Sequence, residues 1–194
     1  MASSKRGLKN GLKQRQRTVI LFIDSIVLNE IPPLRAAWAP IGEQAQVPII
    51  AAHDIRVLTG VLNIQSGDCL LQISARYRQA DAQLILRAIR AHWRGWQIIL
   101  FLDRHPAQRA RATRRLARQL HIQVRWLPTA CPELNVMDQL WRHVTDDVLA
   151  NEPTPDLDTT AQRAVQHILA MPPPDRRRQA GILSDTFWLA DVLR

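Results

Sequence analysis

The chain has 194 residues, 46% of them hydrophobic, which suits one domain with a true core and excludes a disordered polyelectrolyte. Its 26 Lys and Arg against 17 Asp and Glu leave a formal charge of +9, which favours a polyanionic partner, nucleic acid ahead of an anionic membrane surface. Cys69 and Cys131 are too few for a disulfide framework or a zinc cluster and read as reduced thiols of a cytoplasmic protein, and no apolar run approaches the roughly 18 residues of a membrane span.

Residues 1–17 carry Lys5, Arg6, Lys9, Lys13, Arg15 and Arg17 without an acid, and read as a basic flexible arm able to lie on phosphates. Thr18 to Ile23 is a β-branched and aromatic run, the pattern of a strand buried on both faces, with Asp24 where that strand meets its loop. From Pro32 to Gly42 paired Pro and Gly residues frame Trp38, which is expected to tuck onto the sheet edge. Arg56 to Ile64 and Cys69 to Ser74 read as strands joined by the hairpin turn Gln65-Ser66-Gly67-Asp68, pairing antiparallel with the first strand.

Ala82, Ile85, Leu86, Ile89 and Trp93 recur at helical spacing, and Gly95 closes that helix. Gln97 to Leu102 is a second buried strand, delivering Asp103. One helix is expected from Ala107 to Leu120, with Arg109, Arg111, Arg114, Arg115 and Arg118 on it and no acid from Arg104 to Leu120. Arg111, Arg115 and Arg118 share a face, where like charges repel by a few tenths of a kcal/mol per pair, a cost that a polyanion relieves. A third buried strand, Ile122 to Leu127, leads through a Pro-rich turn to a helix beginning at Pro132, with Asp138 beside its apolar stripe. Leu157 to Met171 is a further amphipathic helix stopped by three prolines, and Phe187-Trp188-Leu189 reads as an apolar anchor that docks back. The division is thus an arm (1–17), a core (18–150) and a C-terminal helical extension packed on it (151–194).

This order is that of an α/β fold, a mixed sheet flanked by helices, in which Asp24, Asp103 and Asp138 meet at one edge. Hard oxygen ligands of this kind suit Mg²⁺ or Mn²⁺, and two such ions support phosphoryl transfer.

Phe22-Ile23-Asp24, Leu100-Phe101-Leu102-Asp103 and the block from Leu127 through Pro132-Glu133-Leu134-Asn135 to Asp138 and Trp141 resemble the catalytic core of the DDE transposases. The bacterial insertion-sequence branch related to mariner elements is the most similar, and the 34 residues between Asp103 and Asp138 agree with it. The resemblance implies an RNase H-like fold, Asp24, Asp103 and Asp138 as catalytic metal ligands for two Mg²⁺ or Mn²⁺ ions, and DNA strand cleavage followed by strand transfer. Ser25, Arg104 and Gln108 depart from it, standing where relatives have Glu, Asn and His. Relatives also carry a DNA-reading region ahead of the core. The expectation is therefore a transposase catalytic domain lacking that region, with DNA as its partner and either a second copy or a chain carrying the reading domain beside it. The alternatives are a catalytically decayed DNA-binding remnant and an RNase H-like nuclease.

Overall fold

The computed structural model describes residues 18–43, 46–47, 54–152 and 156–193; the basic arm expected at 1–17 lies outside them. Five strands form one sheet in the order β3-β2-β1-β4-β5. They are β1 (Thr18–Asn29), β2 (Ile55–Asn63), β3 (Cys69–Ser74), β4 (Gln97–Leu102) and β5 (Ile122–Trp126). β1, β2 and β3 pair antiparallel as a meander, whereas β4 and β5 add parallel on the other side of β1. The helices are α1 (Gln79–His92), α2 (Pro106–Arg109), α3 (Arg111–Gln119), α4 (Val136–Val144), α5 (Leu157–Ala170), α6 (Pro173–Gln179) and α7 (Ala190–Leu193). The parallel additions need crossovers, which α1 and the α2–α3 pair supply.

Alternation along β1 assigns its side chains to two cores. Val19, Leu21 and Ile23 face α1 and α3, packing with Ile85, Leu86, Ile89, Leu100 and Ala117. Ile20 and Phe22 face the other way, into a larger cluster with Met137, Leu140, Trp141 and Val144 of α4 and Ala161, Ala164 and Ile168 of α5. Asp24 continues the second series, so the period of two points it at the α4 side. Phe101 of β4 packs into the same cluster and stacks on Phe22 with centroids 4.8 Å apart.

Four expectations need correction. β1 does not end at Asp24 but runs to Asn29, because Asp24 to Asn29 stay paired with β2 after pairing with β4 has stopped at Phe22. The Ala107–Leu120 helix is two helices, broken at Ala110, whose extended backbone (ψ 137°) turns the chain. The Thr113 hydroxyl donates to the Ala107 carbonyl across this break (2.9 Å). The helix expected from Pro132 opens as a 3₁₀ turn, Pro132–Leu134, and becomes α-helical only at Val136. Trp38 is fully exposed rather than tucked on the sheet. Its connection is pinned earlier: Asn151 bonds the Arg35 backbone on both sides and Arg35 pairs with Asp146 (2.8 Å), so Trp38 lies beyond the tether.

Arg176 is buried and donates to the carbonyls of Ile168, Gly67 and Leu169. The anchor does dock: Phe187 joins the α4–α5 core, and Trp188 meets Phe22 and Phe101 edge-on.

Gly60 sits opposite Asp24 in the β1–β2 register, and a Cβ there would lie 2.4 Å from Met137 Cε and 2.8 Å from the Trp141 ring. The glycine is what lets α4 lie flat on the sheet at the level of Asp24. Gly60→Ala is expected to cost about 1–3 kcal/mol by overpacking, read as a lowered denaturant midpoint at unchanged slope. Met137→Ala in the same chain should return part of that loss, since Met137 Cε is the nearer clash.

Candidate active site

The parallel β1–β4 register runs from Thr18↔Gln97 to Phe22↔Phe101. Two residues beyond the last registered pair come Asp24, within β1, and Asp103, just past the end of β4, the two being of one parity. Asp138 arrives from α4, in the first turn of the helix. All three aspartates line one cleft of about 470 Å³ with Arg104, His105, Asn135 and the loop Leu127–Pro132.

Asn135 fixes where α4 begins. It is buried; its Oδ1 accepts from the Met137 N–H (3.2 Å) as an N-cap, and its Nδ2 donates to the Ile23 carbonyl (3.1 Å). One side chain therefore ties the start of the helix that carries Asp138 to the residue preceding Asp24. The turn before it is held from the C-terminus, where Trp188 Nε1 donates to the Leu134 carbonyl (3.1 Å).

Asp103 is oriented by α2. The His105 N–H donates to Asp103 Oδ1 (3.2 Å). In the amide orientation that satisfies its neighbours, Gln108 Nε2 donates to the same oxygen (2.7 Å) and to the Asp103 carbonyl (2.9 Å), while the Tyr77 hydroxyl donates to Gln108 Oε1 (3.3 Å). Burial pushes the Tyr77 phenol up to about 12, with Asp103, Asp81 and Asp24 adding to the shift against the Gln108 hydrogen bond, so it remains a donor. With Oδ1 engaged twice, Asp103 Oδ2 faces no such demand.

Burial raises the Asp24 carboxyl from its ordinary 3.8 to about 7, the Ser25 N–H opposes the rise, and the charges of Asp103 and Asp138 add to it. Three acids in one cleft repel without a cation. Arg142 Nη2 lies 2.7 Å from Asp138 Oδ2, at an angle outside hydrogen-bond geometry, leaving that oxygen buried without a hydrogen-bond donor. Arg142 is more than half exposed, and such pairs contribute only about 0–1 kcal/mol, too little to bar a divalent ion. The donor set thus fits a hard cation: three carboxylates, one whose proton is held more tightly chiefly by burial, one with a free oxygen and one with an unpartnered oxygen.

All five arginines expected to meet a polyanion, and Arg104 with them, are exposed, and none pairs with an acid among the described residues. They do not act as one face. Arg104, Arg109 and Arg114 line a pocket with Pro106 and Trp126, and Arg114 and Arg118 continue along the β5 edge with Arg125. Arg111 and Arg115 line neither. The break at Ala110 separates Arg109 from the rest, whereas the split between Arg111/Arg115 and Arg114/Arg118 lies within α3, each pair following i, i+4 spacing. Arg104 lines both the carboxylate cleft and the arginine pocket, which are therefore neighbours. Asn135, Gln108, Tyr77 and Trp126 were not legible as site residues. For Asn135 a signal existed, an Asn directly before an apolar helical run.

A mixed β3-β2-β1-β4-β5 sheet with one carboxylate within its central strand β1, one just past β4 and one on the helix after β5 has the RNase H-like architecture. The family model described as DDE superfamily endonuclease matches residues 19–161, and the chain belongs to that family. Among solved structures it is similar to a chain of the Mos1 transposase paired-end complex with left transposon end, at TM-score 0.67 and 16% identity, covering 87% of this chain and 53% of that one. The Mos1 mariner paired end complex with Mn matches at TM-score 0.64 and 18% identity, over 94% and 57% of the two chains. The structure of the Mos1 transposase catalytic domain and Raltegravir with Mg matches at TM-score 0.59 and 14% identity, over 89% and 81%. The chain spans about half the length of the Mos1 chains in the paired-end complexes. No curated protein matches its sequence.

Proposed function

We propose that this protein is the catalytic part of a metal-dependent DNA transposase, cleaving and joining DNA strands at Asp24, Asp103 and Asp138. The observation that carries the reading is the convergence of these three acids in one cleft, with arginines that pair with no acid among the described residues lining the neighbouring pocket. A charge-matched site for a phosphodiester needs both: anionic ligands for cations, and cationic side chains for the flanking phosphates.

In this reading Asp24, Asp103 and Asp138 hold two Mg²⁺ or Mn²⁺ ions. When bound, such ions stabilise charge on phosphoryl oxygens and make a bound water acidic. The chain's own residues do the rest. Gln108 and the His105 N–H hold Asp103 in one rotamer, Asn135 sets the distance of Asp138 from β1, and Asp24 would serve as a ligand in its deprotonated form. Arg104, Arg109 and Arg114 receive the backbone phosphates beside the cleft, and Trp126 offers a ring face to an unstacked base. The free thiols Cys69 and Cys131 suit work in the cytoplasm. No helix among the described residues is long and apolar enough to cross a membrane. The exposed Trp38 and Ile41 offer an apolar tip to a second copy, as pairing of two DNA ends requires, with sequence reading left to a partner chain or segment.

The test is nicking of labelled duplex DNA in Mg²⁺ and in Mn²⁺, with Asp103→Asn as control. Metal-dependent nicking lost in the variant supports the reading. Folded protein that binds DNA and neither nicks it nor takes up metal would leave the decayed, DNA-binding remnant as the better account. Arg104 is exposed and makes no ion pair with the acids, which favours the active reading over that alternative.

Arg114→Glu/Arg118→Glu is expected to weaken duplex binding more than tenfold near 0.1 M salt and to shallow the salt dependence by about two units of slope. Arg111→Glu/Arg115→Glu should do distinctly less. Fluorescence anisotropy over a salt series separates the two, and equal losses would assign the attraction to net charge rather than to the β5-edge groove.

A further inference from the structure

α4 carries Asp138 in its first turn and a different cluster at its far end. Beyond Val144 the chain widens into a π-helical turn, Thr145–Leu149, which carries Asp147, while α5 brings His167 to the same point. His143 Nε2 lies 3.2 Å and His167 Nε2 3.6 Å from Asp147 Oδ2, and the ligand atoms of all three lie within 4.8 Å of one another. The imidazoles are about 30% exposed. His167 Nε2 is buried and has no hydrogen-bond partner among the described residues, an expensive state for a polar atom unless something else engages it.

We propose that His143, Asp147 and His167 form a second metal site, separate from the aspartate cleft, that takes a transition ion of the Zn²⁺ class. Two imidazole nitrogens and one carboxylate oxygen are the donors a tetrahedral Zn²⁺ accepts, with water completing the set, whereas Mg²⁺ prefers oxygen alone. Bonds of about 2.0–2.1 Å at tetrahedral angles place ligand atoms roughly 3.3 Å apart, close to both distances to Asp147 Oδ2; rotation of the half-exposed rings closes the remaining gap. The ion would pin α5 to α4, and so stiffen the helix whose other end presents Asp138. A purely ionic arrangement, two imidazolium rings sharing Asp147, is the competing account and takes up no metal.

The experiment titrates chelator-stripped full-length chain with Zn²⁺ by calorimetry in excess Mg²⁺, and with Co²⁺ by visible absorption. One Zn²⁺ per chain is expected, with the d–d bands of a four-coordinate site for Co²⁺. His167→Ala should weaken Zn²⁺ binding by about 30-fold or more, since it removes one of three protein ligands, while Asp103→Asn leaves it within about twofold. His143→Gln, with circular dichroism to check folding, serves if His167→Ala does not fold. No Zn²⁺ uptake in excess Mg²⁺, or uptake lost in Asp103→Asn and kept in the histidine variants, overturns the proposal.

Discussion

Metal-free Asp24→Asn protein is expected to melt roughly 5–10 °C above the wild type at pH 8 and within about 2 °C of it at pH 4. The sign follows from the raised carboxyl. Asp24 titrates near 7 in the fold against 3.8 as its ordinary value, so the folded state holds this proton more tightly than the unfolded chain does. Stability contributed by the protonated group is complete below pH 4 and is lost as the pH rises to 7, after which the loss is constant. Three units correspond to about 4 kcal/mol at most, and the partial exposure of Asp24 reduces this to roughly 2–4 kcal/mol. Asparagine keeps the shape, removes the charge, and abolishes the penalty. The same substitution removes a ligand, so metal-dependent nicking should fall by about a thousandfold or more, in line with a loss of several kcal/mol of transition-state stabilisation. Mg²⁺ at pH 8 should raise the melting temperature of the wild type and leave that of the variant unmoved. Calorimetric scans with and without chelator at both pH values read all of this. A difference between wild type and variant that is the same at pH 4 and pH 8 would sink the account.

This trade between stability and site chemistry explains which parts of the molecule the sequence disclosed. β1, β4 and β5 announce themselves as continuous apolar runs because both faces of a central strand are covered, and the two acids were visible as charges where such runs stop. That Asp24 lies inside β1 was not visible, since only the β2 partner, some thirty residues on, decides how far the strand extends. The shared parity of Asp24 and Asp103 likewise follows from the Phe22–Phe101 pairing before them, not from either segment. Ala110 breaks the arginine helix without a glycine or proline at the break, so composition carries no sign of it. Trp38 looked like core because tryptophan usually is, but Asn151 and Asp146 hold the connection at Arg35 and leave the ring in solvent. Gln108 stood out as a departure from a resemblance, and only the fold shows it bonding to Asp103.

Asn135→Ala is expected to damage catalysis more than its distance from the chemistry suggests. The side chain caps α4 and satisfies the Ile23 carbonyl together. Loss of the cap costs about 0.5–2 kcal/mol, and an orphaned buried carbonyl about 1–3 kcal/mol, so a total near 2–4 kcal/mol should appear in chemical denaturation. The catalytic consequence is separable from that. If Arg109, Arg114 and Arg118 receive the DNA as proposed, Asn135 touches none of them, and binding should hold within about threefold. The nicking rate at saturating DNA should fall by about a hundredfold, as a displacement of about 1 Å at a reacting group predicts, because Asp138 is no longer set against β1. Asn135→Asp distinguishes capping from tethering. It keeps the acceptor for the Met137 N–H, loses the donor to Ile23, and adds a fourth acid to the cleft. If tethering matters, Asn135→Asp is as inactive as the alanine variant while recovering part of its stability. If capping alone matters, Asn135→Asp recovers activity along with stability, and the link from Asn135 to Ile23 is then incidental to the placement of Asp138.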